Sequence, residues 1–96
     1  MNFKKEKIKN KRGGSIFFIN KTSDGKNNVC GQRIYEYRKQ MKISQRIFAE
    51  RLQLLGLDVD KNAIQRMESG QRFITDIELV YIAQALNKEI CELFQK

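Results

Sequence analysis

Apolar residues recur at helical spacing along the last two-thirds of the chain. From residue 31 onward they stand mostly three or four positions apart, the period of an amphipathic helix with one buried face. The pattern predicts five short helices and no strand, an all-α domain. Its apolar positions are Ile34, Tyr37 and Met41; Phe48, Ala49, Leu52 and Leu55; Ile64 and Met67; Leu79, Ile82, Ala83 and Leu86; and Ile90, Leu93 and Phe94.

Capping residues stand where this pattern breaks. Ser44 and Asp60 precede the second and third helices and can accept hydrogen bonds from their first turns. A capping box beginning at Thr75 opens the fourth helix. Gly56 and Gly70 follow the second and third helices, where glycine is favoured. The third helix is therefore predicted over about residues 61–69.

Residues 1–29 differ in composition from the rest of the chain. They carry eight basic and two acidic residues, against eleven and nine in residues 30–96, so most of the net charge of +8 precedes residue 30. We predict a basic, flexible and disordered N-terminal arm over residues 1–29 and a helical domain over residues 30–96. Such an arm favours polyanions without sequence preference. Its apolar stretch, Ile16–Ile19, is a candidate for a short strand hairpinned through Asp24-Gly25, or for docking on a partner.

The sequence argues against catalysis and metal binding. Histidine is absent, Cys30 and Cys91 form no Cys-x-x-Cys pair, and no nucleophile has an evident base. We therefore expect no enzyme activity, cofactor or metal, and we expect Cys91 to be a small core residue. No apolar stretch is long enough to cross a membrane or to serve as a signal peptide. The predicted location is the cytoplasm, with nucleoid association when the protein binds DNA.

Five short motifs follow one another between residues 31 and 94. They are Gly31-x-x-Ile34-x-x-x-Arg38-Lys39, Ser44-Gln45, Phe48-Ala49-x-x-Leu52, Asn62-Ala63-Ile64-x-x-Met67-Glu68-Ser69-Gly70 and Ile82-Ala83-x-Ala85-Leu86. Together they resemble the phage-repressor and Cro-type helix-turn-helix, the Xre family, over about two-thirds of the chain. The resemblance implies five helices. It also implies that the second and third helices bind DNA and that the start of the third meets base edges.

The third helix contains the predicted base contacts. Ile64 and Met67 are expected to face the core. The residues then available to the major groove of DNA are Lys61, Asn62, Ala63, Gln65 and Arg66. Asn and Gln pair bidentately with adenine, Arg and Lys pair with guanine, and alanine can contact a thymine methyl. The alternative is an ordinary solvated helix face. The predicted phosphate contacts are Ser44, Gln45, Arg46, Ser69, Gln71 and Arg72.

Two features concern the angle and position of the third helix. In the family, residues at the positions of Arg38 and Glu68 form a semi-buried ion pair, which we expect to set the helix angle without touching bases. The connection over Gln53–Asp60 is longer than in most family members. We therefore expect an extra turn on the second helix, and added apolar surface from the leucines and valine there. Asp58 would repel a phosphate if it faced one.

Two functions are consistent with these predictions. The first is a sequence-specific transcriptional regulator, a repressor, that binds double-stranded DNA as a homodimer. One short helix reads few base pairs, and two half-sites about 34 Å apart are the usual solution. The candidate dimer surfaces are Ile90, Leu93 and Phe94 and the extra leucines of the second helix, unless these belong to the core. The second function is an antitoxin-type or other protein-interaction module, with Ile16–Ile19 as its interaction segment.

Overall fold

Four α-helices and a terminal 3-10 helix make up the described part of the chain. The structure, a computed structural model, describes residues 21–94. The elements are α1 (Gly31–Gln40), α2 (Gln45–Leu55), α3 (Lys61–Glu68), α4 (Asp76–Leu86) and the 3-10 helix (Ile90–Phe94). Residues 21–94 contain no strand, so the all-α prediction is confirmed for that range. The predicted strand at Ile16–Ile19 lies outside the described residues.

The prediction of a fifth α-helix is wrong. Asn87, in the left-handed conformation with φ 58°, ends α4. The chain then tightens into the five-residue 3-10 helix, where Glu92 N–H donates to the Glu89 carbonyl at 3.0 Å. Leu93 is the one residue of this 3-10 helix that is buried in the core.

The helix boundaries follow from local hydrogen bonds, as predicted. Ser44 Oγ accepts from Ile47 N–H at 3.1 Å, and Asp60 Oδ1 accepts from Ala63 N–H at 2.9 Å. The capping box at Thr75 is complete. At the other ends, Gly56 (φ 112°) and Gly70 (φ 84°) take the left-handed conformation that lets the chain leave α2 and α3.

The core draws on all five elements. The side chains with essentially no exposure are Ile34, Phe48, Leu52, Ile64, Met67, Ile82 and Leu93. Removing each from water contributes roughly 1.5–3 kcal/mol, which small domains need because their stability margin is narrow. The helices α2 and α3 pack on each other, α1 packs on both α3 and α4, and the 3-10 helix packs on α1 and α4.

The connection between α2 and α3 joins the core through only some of its apolar residues. Helix α2 extends to Leu55, as the expected extra turn requires, and Gln53 Nε2 then donates to the Val59 carbonyl at 2.7 Å. Val59 is buried, whereas Leu54 and Leu55 are 88% and 43% exposed. The expectation that Leu55 faces inward is therefore wrong. Leu55 is the last residue of α2, and the chain returns to the core only at Leu57 and Val59.

The prediction that Cys91 belongs to the core is also wrong. Cys91 is exposed, because the 3-10 helix turns Leu93 inward instead, and the buried cysteine is Cys30. The exposed fractions of Ile90 and Phe94 are 40% and 47%. Among the residues that the structure describes, no helix is long and apolar enough to span a membrane.

Candidate nucleic-acid interface

The polar face of α3 is exposed and unpaired. Ile64 and Met67 are fully buried. The opposite face of the helix is exposed to solvent and carries the side chains of Lys61, Asn62, Gln65 and Arg66. Within residues 21–94 none of these four side chains has a hydrogen-bond or ion-pair partner. Their donors and acceptors are therefore available to an external ligand, and the spacing of the four residues gathers them on one side of two helical turns.

Ala63 departs from the predicted set of base contacts. Its exposed fraction is 7%, and it belongs to the hydrophobic core. The physical reason is the helical period, since Ala63 and Met67 are four residues apart and Ile64 lies next to them on the same buried face. The core face of α3 is thus one residue wider than predicted, and little of the Ala63 methyl group is exposed.

A buried ion pair ties α3 to α1. Arg38 Nε and Nη2 donate to the two carboxylate oxygens of Glu68 at 2.6 and 2.9 Å, and Arg38 Nη1 donates to the Ile43 carbonyl at 2.8 Å. The two side chains are only 6% and 5% exposed. This bidentate geometry, which a guanidinium and a carboxylate match well, holds the end of α3 at a fixed angle. Neither side chain lies on the exposed face of α3.

The first residue of α2 joins the same network. Gln45 Nε2 donates to Glu68 Oε1 at 3.0 Å. Sequence reasoning missed this contact, because the two residues are 23 positions apart and nothing local links them. The start of α2 and the end of α3 are therefore positioned by one carboxylate. A phosphate meeting Gln45 would meet a side chain that is already oriented.

Of the other residues predicted to meet phosphates at α2 and after α3, three have local partners. Ser44 is occupied as the α2 cap, and the exposed Arg46 pairs with Glu50 at 2.7 Å. Ser69 Oγ donates to the Arg66 carbonyl at 3.3 Å, and Gln71 is exposed. Since the Arg46 pair is exposed, a phosphate can compete for the guanidinium at little cost.

Arg72 is held more firmly than the sequence indicated. Its two terminal nitrogens donate to the two carboxylate oxygens of Glu78, each at 3.0 Å. Burial raises the pKa of the Glu78 carboxyl. The hydrogen bonds from Arg72 and the Thr75 backbone, with the charge of Arg72, outweigh this effect and hold the pKa below its ordinary value. From the sequence, Glu78 was predicted only as part of the capping box. The structure shows that it also bonds to Arg72 and so joins the loop after α3 to α4.

Metal-ligating side chains do not gather among the described residues. Residues 21–94 contain no cluster of three His, Cys, Asp or Glu side chains able to hold a metal ion. Burial raises the pKa of the Cys30 thiol to about 11, which keeps it protonated and unreactive at neutral pH.

Comparisons with known proteins agree with this geometry. A helix-turn-helix family model, HTH_3, matches residues 34–93. The restriction-modification controller protein C.AhdI from Aeromonas hydrophila is similar in structure, with a TM-score of 0.60 and 31% identity, over 68% of this chain and 87% of that chain. The P22 c2 repressor, solved with synthetic operator 9T, has a TM-score of 0.60 and 24% identity over 71% and 96% of the two chains, a likeness of fold. No curated protein matches the sequence.

Proposed function

This chain belongs to the HTH_3 helix-turn-helix family of DNA-binding transcription regulators, and we propose that it is a repressor that reads operator DNA with α3. The observation that carries the proposal is the exposed face of α3, whose four polar side chains have no partner within residues 21–94. The repressor role is supported by the likeness to the P22 c2 repressor, whose structure contains an operator.

In this proposal the four exposed residues of α3 contact base edges in the major groove. Asn62 and Gln65 each offer one donor and one acceptor, the pattern that adenine matches, whereas Lys61 and Arg66 offer only donors and match guanine. The buried pair of Arg38 and Glu68 holds the helix at the angle of approach. A rigid helix loses little conformational entropy on binding, which favours discrimination between sequences.

Phosphates on either side of the groove contact the start of α2 and the loop after α3. Gln45 and Arg46 act at the start of α2, where free backbone N–H groups attract anions. Ser69 and Gln71 act in the loop after α3. Arg72, held by Glu78, orients this loop on α4 and is the weakest of the predicted phosphate contacts. Such contacts fix the register of the protein on DNA without reading sequence.

A homodimer supplies the second half-site. An exposed apolar surface, the dimer surface, comprises Leu54 and Leu55 of α2 with Ile77 and Val80 of α4. The two groups lie on helices that pack on each other, and Gly56, which follows Leu55, faces the ring of Tyr81 on α4. Leu93 is excluded from such a surface because it is fully buried.

Replacing Leu54 by glutamate is expected to weaken the dimer in sedimentation equilibrium. Val29 is an exposed apolar residue outside the surface, and Val29→Glu is expected to leave the dimer intact.

Selection of bound sequences from random duplex DNA tests the proposed function. We expect recovery of two symmetric half-sites about 34 Å apart, and a large preference for the recovered duplex over random DNA. Gln65→Ala should reduce that preference, whereas Gln84→Ala, a matched exposed glutamine on α4, should not. Equal affinity of the wild type for random and selected duplexes would refute sequence-specific regulation.

The protein-interaction alternative depends on Ile16–Ile19, outside the described residues, and no observation favours it.

A further inference from the structure

The residues just before α1 are hydrogen-bonded to the end of α3. Asn28 Nδ2 donates to the carbonyl oxygens of Met67 and Arg72 at 3.0 and 2.7 Å, and Asn28 Oδ1 accepts from Gly31 N–H at 2.8 Å. One side chain thus bonds to three backbone groups, of which the Met67 carbonyl also accepts from Gly70 N–H at 3.2 Å. Met67 precedes the loop over residues 69–72 and Arg72 is its last residue, so Asn28 bridges the two ends of this loop.

Asn27 adds two bonds within the same loop. Its backbone N–H donates to the Gly70 carbonyl at 2.7 Å, and its Nδ2 donates to the Gln71 carbonyl at 2.8 Å. Lys21 Nζ donates in turn to Asn27 Oδ1 at 2.8 Å. The last part of the predicted arm, residues 21–29, therefore packs on the helical domain.

Close packing around this contact leaves the loop few alternative positions. A Cβ on Gly31 would collide with the Met67 carbonyl oxygen, and one on Gly70 would lie 2.7 Å from the side chain of Lys26. At Gly31 the backbones of α1 and α3 approach as near as glycine allows, whereas at Gly70 the neighbour is a side chain. Because the four bonds from Asn27 and Asn28 act on consecutive or nearly consecutive carbonyls, they determine the path of the loop as well as its stability.

We propose that Asn28, assisted by Asn27, is a positioning residue for the phosphate contacts of the loop over residues 69–72. The proposal rests on the proposed function, in which Ser69 and Gln71 meet the DNA backbone. Asn28 itself touches neither bases nor phosphates; it holds the loop where those groups lie within hydrogen-bond reach of a phosphate. Loss of Asn28 therefore weakens binding to all DNA sequences about equally, unlike loss of a base contact.

The test compares full-length Asn28→Ser with the wild type on two probes, the duplex recovered by selection and a random-sequence duplex. Serine is uncharged and too short to reach both carbonyls. We expect an affinity loss of about tenfold on both probes, as when one hydrogen bond to a charged group is lost. The slope of log affinity against log salt should stay that of the wild type, because the Ser69 and Gln71 contacts that are weakened carry no charge. The preference between the probes should stay unchanged.

Two further variants separate positioning from simple destabilisation. Leu93→Val removes a buried methylene group from the core outside this loop, and binding is measured for every variant well below its melting temperature. If Leu93→Val reduces affinity as much as Asn28→Ser, or if Asn28→Ser binds like the wild type, the proposal is refuted. Asn27→Ala loses the side-chain bonds to Gln71 and Lys21 but keeps the backbone bond to Gly70, so it is a milder variant with a smaller expected loss in the same direction. Failure of the wild type to prefer its selected duplex would refute the proposed function instead.

Discussion

Replacing Glu68 by alanine would remove the central acceptor of the network that holds α3. The carboxylate accepts two hydrogen bonds from Arg38, at 2.6 and 2.9 Å, and one from Gln45 at 3.0 Å. Arg38 and Glu68 are nearly inaccessible to solvent, with 6% and 5% of their side chains exposed. The guanidinium would remain in the interior with only the Ile43 carbonyl as an acceptor.

The expected effect is large for a domain of this size. Removing one partner of a buried ion pair costs about 3–5 kcal/mol of unfolding free energy. For domains of 60–100 residues each kcal/mol shifts the melting temperature by about 4–8 °C, so Glu68→Ala should melt at least about 12 °C below the wild type. Thermal unfolding followed by far-ultraviolet circular dichroism measures the shift, and urea unfolding in the cold measures the free energy.

Two comparisons show whether the buried charge causes the loss. In Arg38→Met/Glu68→Leu both charges are gone, and because such replacements are often neutral or stabilising, the double variant should be more stable than Glu68→Ala. Glu50→Ala breaks the exposed pair with Arg46 and should cost less than about 1 kcal/mol. A melting temperature for Glu68→Ala that is unchanged, or lowered no more than in Glu50→Ala, would refute the reasoning.

Three further predictions concern the groove face, the cysteines and acid stability. Asn62→Ala should cost about 1–3 kcal/mol of discrimination at one base pair without changing the melting temperature, measured on duplexes that differ from the selected site at single positions; uniform weakening on all duplexes would contradict a base contact. A thiol reagent at neutral pH should modify Cys91 alone in the native protein and both cysteines in urea, because Cys30 is buried and its pKa is raised to about 11; mass spectrometry showing equal native labelling would contradict this. Glu78→Gln should be less stable than the wild type at neutral pH, and the difference should shrink as the pH falls below about 4, since a lowered folded-state pKa stabilises only above the ordinary carboxyl pKa; a difference that stays constant from neutral to acidic pH in urea unfolding would contradict the role of ionised Glu78.

The sequence predicted those features of the fold that depend on near neighbours. Ser44 and Asp60 were identified as caps because a cap bonds to a backbone group three residues away, so spacing alone reveals it. The buried pair of Arg38 and Glu68 was expected only because the motifs resemble a known family. The extent of the core face of α3 was underestimated at Ala63, since a small side chain is compatible with either face until its neighbours are placed.

Long-range polar contacts could not be predicted in this way. Asn28 is 39 residues from Met67 and 44 from Arg72, and no periodicity links an asparagine before α1 to carbonyls after α3. Asn27-Asn28 is a turn-prone pair by residue type alone, because asparagine is common in turns for local reasons. The bond between Gln45 and Glu68 likewise joins residues far apart in the sequence. Side chains that satisfy backbone groups of another element are found only when the elements have been packed.

The contacts of Asn27 and Asn28 connect the basic N-terminal segment to the part of the domain proposed to recognise bases. Most of the net positive charge precedes residue 30, whereas the side chains suited to base recognition lie on α3. Charge in the N-terminal segment would raise affinity for any DNA, and α3 would select the site. Asn27 and Asn28 join the two regions, because they bind the N-terminal segment to the loop that follows α3. A truncation that tests the basic segment must therefore end at residue 20, since one that ends at residue 29 also removes the bonds that hold the loop.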